Sequence, residues 1–109
     1  LRIVLKSERN IRIHFMAATI IILFALALGL SALKICMLLF AIALVIVTEM
    51  LNSAIEFALD AVFHNKFSTL VGMAKDISAG AVMFATFVAI VIGIIIFVPA
   101  IILYVMALV

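Results

Sequence analysis

The sequence predicts an all-α integral membrane protein, and three observations carry that prediction. Of its 109 residues, 72% are hydrophobic and 11% charged, against about 45–50% and about 25% in soluble domains. The apolar residues gather into three stretches long enough to cross a bilayer core, which takes about 20 residues of helix. No stretch alternates polar and apolar residues as a half-buried strand would, and in lipid a helix satisfies its own backbone groups. This composition excludes a soluble globular domain, a disordered tail and a nucleic-acid-binding module. A chain this short is expected to form one membrane domain, residues 1–109.

Helix one is expected over about residues 11–33. Its apolar run from Ile13 is interrupted only by His14, Thr19 and Ser31. The basic start (Arg2, Lys6, Arg9, Arg12) has the character of a signal-peptide n-region. However, the run exceeds the usual span of about 7–15 residues and no small-x-small cleavage site precedes Lys34, so the segment reads as a retained helix. The chain opens on Leu1 rather than methionine, which leaves room for an upstream segment. Helix two is expected over about 34–63, with no polar residue between Ile35 and Thr48. Helix three is expected over about 75–98 and carries no charge from Ile77 onward. Pro99 lacks a backbone donor and kinks or ends a helix. Beyond it lies an apolar tail, 99–109, that either extends the helix or lies along the membrane.

Lys and Arg set the orientation. Four precede the first apolar run, Lys66 and Lys75 lie between the second and third, Lys34 alone lies between the first and second, and none follows the third. The positive-inside rule then predicts a cytoplasmic N-terminus and an extracytoplasmic C-terminus. Ala81, Ala85, Ala89 and Gly93 recur every four residues on helix three, a pattern that admits close approach of another helix. Ala18, Ala25 and Gly29 make a weaker stripe on helix one. Three helices bury little surface alone, so oligomerisation is expected, with clefts between subunits.

The few polar residues are concentrated. Glu49, Asn52, Glu56 and Asp60 share one face of helix two. Glu49 lies about 21 Å along the helix from Ile35, several Å inside a hydrocarbon core of about 30 Å. A carboxylate there is costly and marks a functional site by default. Glu56, Glu8 and the Lys75-Asp76 pair, which is expected to open helix three, fall at the inner rim. Blander readings apply to some of them. Asp60 and Asp76 also suit interfacial carboxylates, Asp76 helped by the helix dipole. Glu8 suits a surface ion pair of little energetic worth. Lys75 suits a topology determinant and His14 an interfacial histidine. Cys36 is the only cysteine, so it forms no intrachain disulfide and packs as a small hydrophobe. No Gly-rich phosphate loop is present.

Glu49 is placed to act as general base on the hydroxyl of a lipid headgroup. Glu8 and Glu56 suit Mg²⁺, which takes one or two carboxylates and otherwise water and phosphates. Lys75 supplies positive charge for phosphate. Together these match phosphoryl transfer from ATP to an alcohol in the membrane. Two other classes compete. A small proton-coupled transporter could use Glu49 as its proton or substrate carboxylate, although such exporters are expected to have four spans with the Glu in the first. A non-catalytic subunit with carboxylates as assembly contacts would account for Glu49 but not for the clustering of Glu8, Glu56 and Lys75.

The run Glu49-Met-Leu-Asn52-Ser-Ala-Ile-Glu56, followed by Asp60 and Ala74-Lys75-Asp76, resembles the prokaryotic diacylglycerol kinase family. Upstream, Glu8-Arg9-Asn10-Ile11-Arg12-Ile13-His14 resembles its undecaprenol kinase branch from Gram-positive bacteria. The resemblance covers roughly residues 2 to 98. It implies a bacterial cell-membrane homotrimer with active sites at subunit boundaries and a surface helix before helix one. It implies Glu49 as catalytic base, Glu8 and Glu56 as Mg²⁺ ligands, and Asn52, Lys75 and Asp76 as nucleotide-binding residues, with Lys75 on the phosphates. Arg12 would shape the lipid headgroup site beside Glu49. The acceptor would be undecaprenol, favoured by the upstream stretch, or diacylglycerol. The linker departs from the family pattern, with Phe63-His64-Asn65-Lys66-Phe67 in place of a Glu-Tyr-His-like stretch and one additional residue.

Overall fold

The computed structural model describes the backbone of residues 2–64, 66 and 68–109 and the side chains of residues 9–64, 66 and 68–109. It contains three helices: α1 (Arg2–Ala27), α2 (Ala32–Phe63) and α3 (Thr69–Leu108). No strand occurs among the described residues. All three helices are long and apolar enough to cross a membrane.

The helix boundaries differ from the sequence expectation at both ends of helix one and both ends of helix three. Helix one ends at Ala27 rather than near residue 33. Gly29 adopts a left-handed conformation (φ 70°), its N–H donates to the Leu26 carbonyl at 3.0 Å, and the Leu30 N–H donates to Ala25 at 3.2 Å. This pair of bonds is the Schellman arrangement, which satisfies the last carbonyls of a helix and turns the chain away. Ser31 then caps α2, its hydroxyl accepting from the Lys34 N–H. Helix three starts at Thr69, six residues before Lys75, because Ser68 caps it by accepting from the Val71 N–H at 3.1 Å. The helix also continues through Pro99 to Leu108, so the apolar tail extends it. At the N-terminus the backbone is helical from Arg2 straight into α1, with no break that would set apart a surface helix.

The turn after α2 is tighter in conformational terms. His64 occupies the left-handed region (φ 52°, ψ 40°) and its N–H donates to the Asp60 carbonyl. Only a few residue types tolerate that conformation, histidine being one that is enriched there.

Packing is strongest between α2 and α3, with α1 set mainly against α2. The core sits near the α1–α2 turn. Ala25, Leu38 and Ile96, one from each helix, are buried together, and Ile22, Leu30, Ile35, Ile92 and Phe97 pack around them. Phe24 and Phe97 add a tilted ring contact at 5.6 Å between α1 and α3. Most large apolar side chains elsewhere are exposed. The accessible surface is 8024 Å², whereas a soluble monomer of this mass would present about 5,900 Å². The many exposed large apolar side chains suit lipid or further copies of the chain.

Candidate active site

Away from the core, polar contacts among the described residues tie the helices together, and those that follow each use a residue of the polar face of α2. His14 Nε2 of α1 lies 2.6 Å from Glu49 Oε2. The Ser78 hydroxyl of α3 donates to Asn52 Oδ1 at 2.6 Å. Lys75 Nζ of α3 donates to Asp60 Oδ1 at 2.8 Å.

Helix geometry explains the first contact. His14 lies eleven residues before the buried Ala25, and Glu49 lies eleven after the buried Leu38. Eleven residues are close to three turns, so each side chain returns to the face that already packs against the other helix. With Glu49 ionised, its oxygens can only accept hydrogen bonds, and the ring nitrogen facing it then carries the proton. Glu49 is about one quarter exposed (27%) and His14 about one third (34%).

A groove of about 370 Å³ opens between the three helices. His14 forms part of its wall, and small residues (Ala17, Ala18, Ala41, Ala89, Gly93) form much of the rest. Thr86 also faces it, but its hydroxyl donates to the Val82 carbonyl of its own helix at 2.8 Å. His14 is the titratable side chain in this lining.

In the second contact Ser78 is nearly closed to solvent, at 8% exposed. Its single proton has two acceptors within reach, Asn52 Oδ1 at 2.6 Å and the Lys75 carbonyl at 3.0 Å. Asn52 is thereby fixed against α3. The third contact changes the standing of Asp60, which is an ion-pair partner of Lys75 rather than a carboxylate alone in water.

The remaining expected site residues stand on all three helices. Glu56 is half-buried on α2 and has no ion-pair partner among the described residues. Asp76 is exposed in the second turn of α3 rather than at its start, so the dipole benefit expected for a first-turn carboxylate is weakened. Arg12 is exposed on α1, two residues before His14. Glu8 lies on α1, but its side chain is outside the described residues, so its pairing with Glu56 is too. Among the described residues, no three His, Cys, Asp or Glu side chains form a metal cluster. A two-carboxylate Mg²⁺ site completed by water and phosphate would need no such cluster.

Sequence reasoning missed His14 as a site residue. The pairing of His14 with Glu49 follows from which residues of the hairpin stack, Ala25 near Leu38, eleven residues from each; helical periodicity within one helix carries no such cross-helix register.

Comparison with known proteins gives concordant results. The family model described as prokaryotic diacylglycerol kinase matches residues 1–97. A diacylglycerol kinase of Synechocystis sp. is 34% identical over 87 residues, covering 80% of this chain and 50% of the relative. An undecaprenol kinase of Bacillus subtilis is 32% identical over 94 residues, covering 86% of this chain and 76% of the relative. The chain thus spans about half the length of the cyanobacterial protein. No solved structure matches it.

Proposed function

Because this chain belongs to the prokaryotic diacylglycerol kinase family, we propose that it transfers the γ-phosphoryl group of ATP to the hydroxyl of a membrane lipid, undecaprenol or diacylglycerol. The observation that carries this reading is Glu49, a carboxylate on an apolar helix held against His14 beside an apolar groove. Family membership does not favour the transporter reading of the same carboxylate.

In this mechanism the lipid hydroxyl approaches Glu49 from the membrane side. Glu49 accepts the hydroxyl proton as the lipid oxygen forms its bond to the γ-phosphorus. The bond from that phosphorus to the β,γ-bridging oxygen breaks, and ADP leaves. Such transfers depend chiefly on positioning and charge stabilisation. Lys75 contributes positive charge to the phosphates, and Asp60 holds its ammonium in a defined place meanwhile. Asn52, steadied by Ser78, and Asp76 orient the nucleotide. Arg12 shapes the headgroup side of the site. Glu56, a half-buried oxygen donor without an ion-pair partner among the described residues, would hold Mg²⁺ together with Glu8. When bound, the ion neutralises charge on the β- and γ-phosphates.

The reading includes a cytoplasmic N-terminus and an extracytoplasmic C-terminus, so that the rim faces ATP, and a homotrimer with sites between subunits. The exposed apolar surface supports assembly. So does the exposed Gly80, whose missing side chain admits close approach of another helix. The deciding experiment offers undecaprenol and diacylglycerol with Mg-ATP to the purified protein in one assay. Transfer to one of them identifies the acceptor. Absence of transfer to both overturns the proposal.

A further inference from the structure

Resting on the kinase reading above, we infer that His14 is the positioning residue for the base: its Nε2–H occupies Glu49 Oε2 and thereby presents Oε1 to the lipid hydroxyl. The 2.6 Å contact joins α1 to α2. A glutamate has three side-chain torsions, and on a helix surface in lipid nothing polar would hold its end. One oxygen taken by a fixed donor removes that freedom. The donor is itself fixed, because the hairpin that stacks Ala25 near Leu38 sets His14 three turns away on the same face.

The imidazole has a second consequence for the site. It forms part of the groove wall while its Nε2 meets the carboxylate. A lipid chain lying in that groove would bring its polar end to the His14 side, where the free carboxylate oxygen accepts the proton. The role assigned to His14 is orientation through one hydrogen bond, with no proton passing through the ring.

The test compares His14→Ala and His14→Gln in the full-length protein, with helicity and oligomeric state in detergent checked for each. A base displaced by about 1 Å can lose a factor of about a hundred in rate. His14→Ala is therefore expected to lower kcat by that order while leaving the KM for ATP unchanged. His14→Gln, whose amide can donate from nearly the same place, is expected to recover most of the rate. In a Glu49→Gln background the His14→Ala change should have no further effect, since the two residues act as a unit. Wild-type kcat in His14→Ala, or a His14→Gln variant as slow as His14→Ala, would overturn the assignment. An unmodified protein inactive on every lipid would instead overturn the kinase reading. Activity in the unmodified chain together with an indifferent His14→Ala overturns only the positioning role.

Discussion

The two ends of the helix bundle are held by different forces. Near the α1–α2 turn, Ala25, Leu38 and Ile96 meet in a small dry core, and Phe24 contacts Phe97. Toward the α2–α3 turn, the helices are joined by His14–Glu49, Asn52–Ser78 and Asp60–Lys75. Lipid tails are as apolar as leucine, so burial from lipid provides little driving force, and close packing and hydrogen bonds remain. The core end uses the first and the polar end the second. One end fixes the register of the hairpin. The other spends that register on aligning reactive groups, which is why the polar residues are few and why their partners come from neighbouring helices.

This contrast can be tested by substitutions on either side of it. The largest effect is expected for Glu49→Gln, which removes the base but keeps a similar shape. Its turnover should fall by about a thousandfold, with helicity and assembly unchanged; lipid phosphorylation at the normal rate would remove Glu49 from the mechanism. Next comes Leu38→Ala in the dry core, expected to cost about 2 kcal/mol in a reversible detergent unfolding titration. The neighbouring exposed Leu39 provides the control, and equal losses at both sites would show that the core does not hold the hairpin.

Gly29→Ala should cost about 1 kcal/mol, because an L side chain is disfavoured at a left-handed position. No atom lies within 4 Å of the added Cβ, so the cost is conformational alone, and an unchanged melting temperature would refute the turn geometry. The smallest effect is expected at Ser78→Ala. Interhelical hydrogen bonds in membranes average about 0.6 kcal/mol, and a double-mutant cycle with Asn52→Ala should return a coupling of that size. A coupling of zero would show that the 2.6 Å contact contributes nothing to stability.

Much of the fold was legible because membrane spans declare themselves by long uncharged runs. Ile35 to Val47 and Ile77 to Val109 contain no charged residue, and no tertiary information is needed to read them. The polar face of α2 was legible for a similar reason, since Glu49, Asn52, Glu56 and Asp60 follow helical periodicity within one element. What was not legible was which residue of one helix meets which residue of another. That depends on where the turns fall. Ser68 caps α3 well ahead of Lys75, which puts Lys75 opposite Asp60 rather than at a helix start. The hairpin stacks Ala25 near Leu38, which brings His14, eleven residues before the one, to Glu49, eleven after the other. Caps and left-handed glycines are short local signals, and a shift of two or three residues in reading them changes every partner.

The length of α3 has a further consequence. Its 40 residues set the 61 Å long axis of the molecule. The uncharged part from Ile77 onward measures about 50 Å as helix, against a hydrocarbon thickness of about 30 Å. Even tilted by about 40°, near the limit for membrane helices, it would still rise about 38 Å. Lys75 and Asp76 keep one end of this stretch from sliding inward, so the surplus must emerge at the other. There the helix carries Tyr104, a residue type enriched where acyl chains give way to headgroups. Bilayer thickness thus becomes a variable to which this protein is coupled: a thicker membrane would draw the segment after Pro99 inward, and a thinner one would leave more of it among the headgroups.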